Sequence, residues 1–153
     1  MRTYPFAKIA ARNFPTEADL NNPWIFPRDV QVVICVSQRY DTLLADVLSL
    51  RGVVYHYLPL DEEVADIGWQ NILRAVEIIL QADAEGKRVV VHCDFGQHRS
   101  RLVVEAFHFA KYGEHFVDHY HGYENRLIYN CRCNHLPPLE VVGQQLRELS
   151  SQL

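Results

Sequence analysis

The stretch from Lys87 to Tyr112 constrains this chain more than any other. Lys87-Arg88-Val89-Val90-Val91 is a short β-branched run after Gly86, and residues 102–112 carry apolar side chains at helical spacing. The residues between them, His92-Cys93-Asp94-Phe95-Gly96-Gln97-His98-Arg99-Ser100, therefore join a strand to a helix N-terminus. A helix start leaves backbone N–H groups without intrahelical partners and carries about half a positive charge, so anions settle there. The ionised form of a cysteine is favoured in the same place, above all beside a cationic group. Gly96 opens backbone angles closed to other residues and keeps a side chain out of such a cradle. Arg99 presents a planar fork of donors that matches two oxygens of one oxyanion. Ser100 stands where its hydroxyl can donate to sulfur. Among the four cysteines only Cys93 has these surroundings: six residues beyond it is Arg99, whereas Cys35, Cys131 and Cys133 have Asp41, Pro137 and Leu139 there.

Upstream, Gly52-Val53-Val54-Tyr55-His56-Tyr57-Leu58-Pro59-Leu60-Asp61 reads as a strand running into a loop. Ile67 to Ala84 follows, with apolar residues at 67, 69, 72, 73, 76, 79, 80 and 84, a helix of about five turns. The strand at 88–92 completes a strand–helix–strand unit. Such a crossover returns the chain parallel to its first strand and opens both following loops at one carboxyl edge, where open α/β sheets bind ligands. Asp61 is thereby carried back toward Cys93. Glu62, Glu63 and Asp66 share its stretch, but Asp61 follows the strand directly, while Asp66 stands where it would cap or begin the next helix. Of these carboxylates Asp61 is the best placed at that edge and Asp66 is the reserve.

His92-Cys93, Gly96, Arg99 and Ser100 occupy every position of the pattern His-Cys-x5-Arg-Ser/Thr with Gly three residues after Cys. In this the chain resembles the cysteine-dependent protein tyrosine and dual-specificity phosphatases, above all the small dual-specificity enzymes. The resemblance implies an α/β fold, with a central, mostly parallel sheet flanked by helices and a phosphate-binding loop between a core strand and a helix N-terminus. It implies that Cys93 attacks phosphorus and that Arg99 and the loop residues Asp94, Phe95, Gly96, Gln97 and His98 hold the phosphoryl oxygens. Asp61 then protonates the leaving oxygen and afterwards activates water, and Ser100 stabilises the returning thiolate. His92 and His98 would shape the loop rather than transfer protons. No metal and no cofactor is implied, because guanidinium and amides supply the positive field.

The expected substrate is a phosphorylated protein or a small phosphomonoester. Asp94 is acidic and the loop holds no Lys, which makes a polyanionic inositide head group less attractive. Arg101 gains nothing from the helix dipole and is expected to reach substrate or an acidic neighbour. Two other readings stand beside this one. Gly96-Gln97-His98-Arg99-Ser100 also looks like a stretch of the sugar-phosphate-sensing domain of a bacterial RNA-binding adaptor, a likeness confined to the loop that predicts binding without hydrolysis. A small-molecule phosphatase, or an arsenate-type redox enzyme with relay cysteines, would use a similar loop.

The rest of the chain frames this loop. A length of 153 residues suits a single domain over 1–153. The net charge is −4 and the basic residues form no run, so neither nucleic acid nor an anionic membrane surface is suggested. No stretch approaches the roughly 20 apolar residues of a membrane span. Free cysteines suit a reducing compartment, and the cytoplasm is expected. A first strand over Phe6–Ala11, a loop over Asn13–Pro27, a strand over Val30–Val36, a helix over Asp41–Leu50 and a core-covering helix over Pro138–Leu153 complete the pattern. Cys35 reads as core. His108, His115, His119, His121, Cys131, Cys133 and His135 read as packing groups, since their spacing departs from paired zinc modules.

Overall fold

The protein is described from a computed structural model, for residues 2–61, 68–95 and 99–114 and for residues 144, 147, 148 and 151. Five strands, β1 (Arg2–Thr3), β2 (Ile9–Arg12), β3 (Val30–Cys35), β4 (Val54–Tyr57) and β5 (Arg88–His92), form one sheet in the order β1-β2-β5-β3-β4. β1 runs antiparallel to β2, and β2, β5, β3 and β4 are mutually parallel. The described residues include the helices α1 (Glu17–Leu20), α2 (Thr42–Leu50), α3 (Trp69–Ala84) and α4 (Arg99–Tyr112). The expected mostly parallel α/β sheet is what forms.

Both faces of the sheet are covered, which is why β3 and β5 read as near-continuous apolar runs instead of alternating. On one face Ile34, Val89 and Val91 meet Ile72, Val76 and Ile79 of α3 and Leu102, Val103 and Phe107 of α4. On the other, Val33, Cys35 and Val90 meet Leu44 and Leu48 of α2 together with Phe14, Leu20 and Phe26. Cys35 is fully buried, as expected, and burial pushes its thiol up, away from reactivity.

Boundaries differ from the one-dimensional pattern in instructive places. Asp41 is the N-cap of α2, accepting from the Leu44 N–H at 3.0 Å, not its first residue. α3 is capped by Gly68, two residues later than the capping position given to Asp66. α4 begins at Arg99, three residues before the apolar periodicity starts, so Arg99 and Ser100 belong to its first turn. The expected loop over 13–27 contains α1, held by a capping box in which Thr16 and Asp19 bond reciprocally at 3.1 and 2.9 Å. Arg12, buried at the end of β2, anchors that helix by pairing with Asp19 at 2.8 Å. The bond to the Thr16 backbone, reinforced by Arg12, holds the Asp19 carboxyl below its usual range.

His108 packs edge-on to Phe6 and beside Tyr112, both at 4.7 Å between ring centres, in the packing role its position suggested. His115, His119, His121, Cys131, Cys133 and His135 lie outside the described residues, as does most of 138–153. Among the described residues no helix is long and apolar enough to cross a membrane.

Candidate active site

The four parallel strands deliver four chain segments to one carboxyl edge. β5 ends at His92 and hands directly to Cys93; β2 delivers Asn13 and Phe14, β3 delivers Ser37 to Tyr40, and β4 delivers Leu58 to Asp61. Register explains the proximity: Cys35 pairs with His92 and with Tyr57, and Arg12 pairs with His92.

Cys93 is buried, with 2% of its surface exposed, and its Sγ lies 3.4 Å from Ser100 Oγ in the first turn of α4. Its backbone N–H donates to the Arg12 carbonyl at 3.3 Å, which ties the start of the loop to β2. Arg99 is drawn two ways. Its Nη1 donates to the Leu60 carbonyl at 3.3 Å, and its Nη2 pairs with Asp94 Oδ2 at 2.7 Å. The first contact sets Arg99 against the residue immediately before Asp61. The second sets the Asp94 carboxylate against one edge of the guanidinium. Asp94 in turn accepts from Ser37 Oγ at 2.7 Å; burial alone would raise its pKa, but the bonds from Ser37 and Arg99 outweigh that and hold the carboxyl below the usual range.

The segment carrying Asp61 is pinned at several points. Leu58 N–H donates to Cys35 O at 2.8 Å, Leu60 N–H to Val36 O at 3.1 Å, and Asn71 Nδ2 donates to Pro59 O at 2.8 Å. Gly68 packs behind it with φ of +116°; a Cβ there would lie 3.1 Å from Leu60 Cδ2 and 3.4 Å from the Pro59 carbonyl. Gly68→Ala combines left-handed strain with this contact and is expected to cost about 1–3 kcal/mol, read as a lower urea midpoint. An unchanged midpoint would remove the constraint from Gly68.

His92 is fully buried, 4.6 Å edge-on to Phe14, with Nε2 3.2 Å from the Tyr55 hydroxyl. Burial pushes its pKa down to about 4, so the ring is neutral at pH 7 and braces the loop. A base depressed on folding stabilises fully above its unfolded value of about 6.5, and that stability drains as pH falls toward 4, on the order of 3 kcal/mol in all. Urea unfolding across this window, with imidazole shifts followed by NMR, is the check; a ring that titrates near 6.5 in the folded protein would contradict it.

Phe95, two residues beyond Cys93, is 79% exposed and forms an antiparallel bridge with Asn13. Gly96, Gln97 and His98 lie outside the described residues, as do Glu62, Glu63 and Asp66. Arg101, expected to reach substrate or an acidic neighbour, is buried in α4 one turn before buried Glu105. Sequence reasoning missed Ser37, the Leu60 carbonyl and Phe14. The only signal for them was their place just after strands destined for the same sheet edge.

No family model and no curated protein matches the sequence. Solved structures do match in shape. PTPMT1 superposes with a TM-score of 0.67 at 21% identity over 94% of this chain and 92% of its own. A mutant form of Tk-PTP gives 0.66 at 21% identity over 98% and 94%. The core catalytic domain of the PP-IP phosphatase SIW14 from S. cerevisiae gives 0.63 at 14% identity over 95% and 82%.

Proposed function

From the premise that this chain has the fold of the cysteine-dependent protein tyrosine and dual-specificity phosphatases, we propose that it is a phosphomonoester hydrolase working through a cysteinyl-phosphate. The observation that carries this reading is the convergence at one sheet edge of the Cys93 sulfur, the Ser100 hydroxyl and the Arg99 guanidinium, with Arg99 bonded to the carbonyl that precedes Asp61.

In this reading the Cys93 thiolate attacks phosphorus while the amides at the start of α4 and the Arg99 fork hold the non-bridging oxygens. The P–O bond to the leaving group breaks, and Asp61 as an acid gives that oxygen its proton. Asp61, now a carboxylate, takes a proton from water as the water attacks the thiophosphate. Phosphate departs, and the sulfur returns as thiolate beside Ser100 Oγ, whose hydroxyl donates to it. The buried, neutral His92 braces the strand end and carries no proton in the cycle.

The preferred substrates are phosphorylated proteins, with small phosphomonoesters the alternative. PTPMT1 has been crystallised with PI(5)P and SIW14 is a PP-IP phosphatase, so related folds accept phosphates of different carriers. The requirement for a free thiol also favours a reducing compartment for this chain. Hydrolysis of an aryl phosphate and of phosphotyrosine and phosphoserine peptides, each with EDTA present, tests the reading. Metal-independent turnover supports it. Retained binding of phosphate or a phosphosugar with no turnover would replace it with a sensor.

A further inference from the structure

One cation at the sheet edge has no part in this chemistry. Arg39 sits in the loop between β3 and α2, and its two ends are both fixed to the residue next to Cys93. Its backbone N–H donates to Ser37 Oγ at 3.0 Å, and Ser37 donates to Asp94 Oδ1 at 2.7 Å. Its guanidinium carbon lies 3.6 Å from the centre of the Phe14 ring, and the Phe14 N–H donates to the Asp94 carbonyl at 3.2 Å. A guanidinium held over a ring in this way keeps its five N–H donors for other partners.

The neighbouring arginines are spoken for: Arg12 pairs with Asp19 and Arg99 with Asp94. Arg39 is exposed, and among the described residues its side chain makes neither an ion pair nor a hydrogen bond. Its charge is felt at Asp94 and at His92. An exposed arginine ordinarily loses rotamer entropy when it captures an anion, which cancels much of the gain. Here Phe14 and Ser37 have already ordered it. Tyr40, stacked on Tyr57 at 5.2 Å, continues the same rim.

Resting on the phosphatase reading, we propose that Arg39 is a second anion-binding subsite at the mouth of the candidate active site. It selects substrates that carry another carboxylate or phosphate beside the phosphate to be cleaved. The loop's own acid, Asp94, is bonded to Arg99 and to Ser37, not to the Arg39 side chain.

The test compares matched pairs that differ by one anion, using the full chain and its Arg39→Gln and Arg39→Lys variants. One pair is a phosphotyrosine peptide with Asp or Asn next to the phosphotyrosine; the other is a hexose monophosphate and the corresponding bisphosphate. The expected result is that the unmodified protein favours the doubly anionic member of one pair about tenfold in kcat/KM, chiefly through KM. Arg39→Gln erases that preference and Arg39→Lys retains part of it. A preference within the peptides assigns an acidic protein segment, and one within the sugars assigns a second phosphate. Equal treatment of both members, or a preference that Arg39→Gln keeps, overturns the subsite.

If no substrate is turned over, the phosphatase reading fails, and the subsite is judged separately by calorimetric binding of the same pairs. A tenfold loss of affinity in Arg39→Gln for the doubly anionic member alone then upholds it, and equal affinities sink it.

Discussion

Cys93→Ser is expected to lower aryl phosphate turnover by at least about 10⁴-fold while leaving the protein folded and able to bind phosphate. The size follows from chemistry. In the proposed mechanism the attacking atom is sulfur, 3.4 Å from Ser100 Oγ, and a serine hydroxyl in the same place is a far poorer nucleophile. The substituted oxygen is also smaller, so packing around the buried position changes little. EDTA leaves the unmodified rate as it was, because the proposed positive field comes from Arg99 and backbone amides. Stopped-flow or endpoint release of p-nitrophenol measures both effects. Residual activity within tenfold of the unmodified protein, or activity that EDTA removes, would sink the thiolate mechanism.

Asp61→Asn is expected to cost about 10²–10³-fold in kcat, and to change the shape of the pH profile as well as its height. The sign follows from the role. In the proposed cycle Asp61 gives its proton to the leaving oxygen, so the protonated enzyme is the active form and activity is expected to fall on the basic side. Asparagine cannot ionise, and the basic limb disappears. The loss depends on the leaving group: p-nitrophenolate departs with little help, whereas the alkoxide of phosphoserine needs the proton, so the variant suffers most on alkyl phosphates. Asp66→Asn, measured alongside, is expected to stay within a few-fold of the unmodified protein. Should Asp66→Asn lose the basic limb and Asp61→Asn keep it, the acid is Asp66.

Much of the scaffold was visible in one dimension, because its signals are local. A β-branched run bounded by Gly86 announced β5, and a sustained 3.6-residue period announced α3. The start of α4 was placed late because Arg99 and Ser100 are polar, and periodicity sees only apolar faces; in the fold both lie in the first helical turn. α1 hid within a loop rich in Asn and Pro, although Thr16 with Asp19 three residues later is a capping-box signature at short range. β1 had no signal at all, since two residues owe their strand conformation to pairing with Ala10 and Ala11.

Electrostatics was the part least open to a linear reading. Taken along the chain, Asp94 lowers the positive charge of its loop and argues against a polyanionic ligand. In three dimensions Asp94 is paired with Arg99 and held by Ser37, which is 57 residues away in sequence, and the charge of a separate cation, Arg39, is felt at it.

Residue order alone was enough to place the loop that carries Cys93 between a strand and a helix, since caps, turns and periodicity act within a few residues of their cause. Which groups face that loop was settled by the register of β2, β5, β3 and β4, because parallel pairing brings together segments that share no local signal.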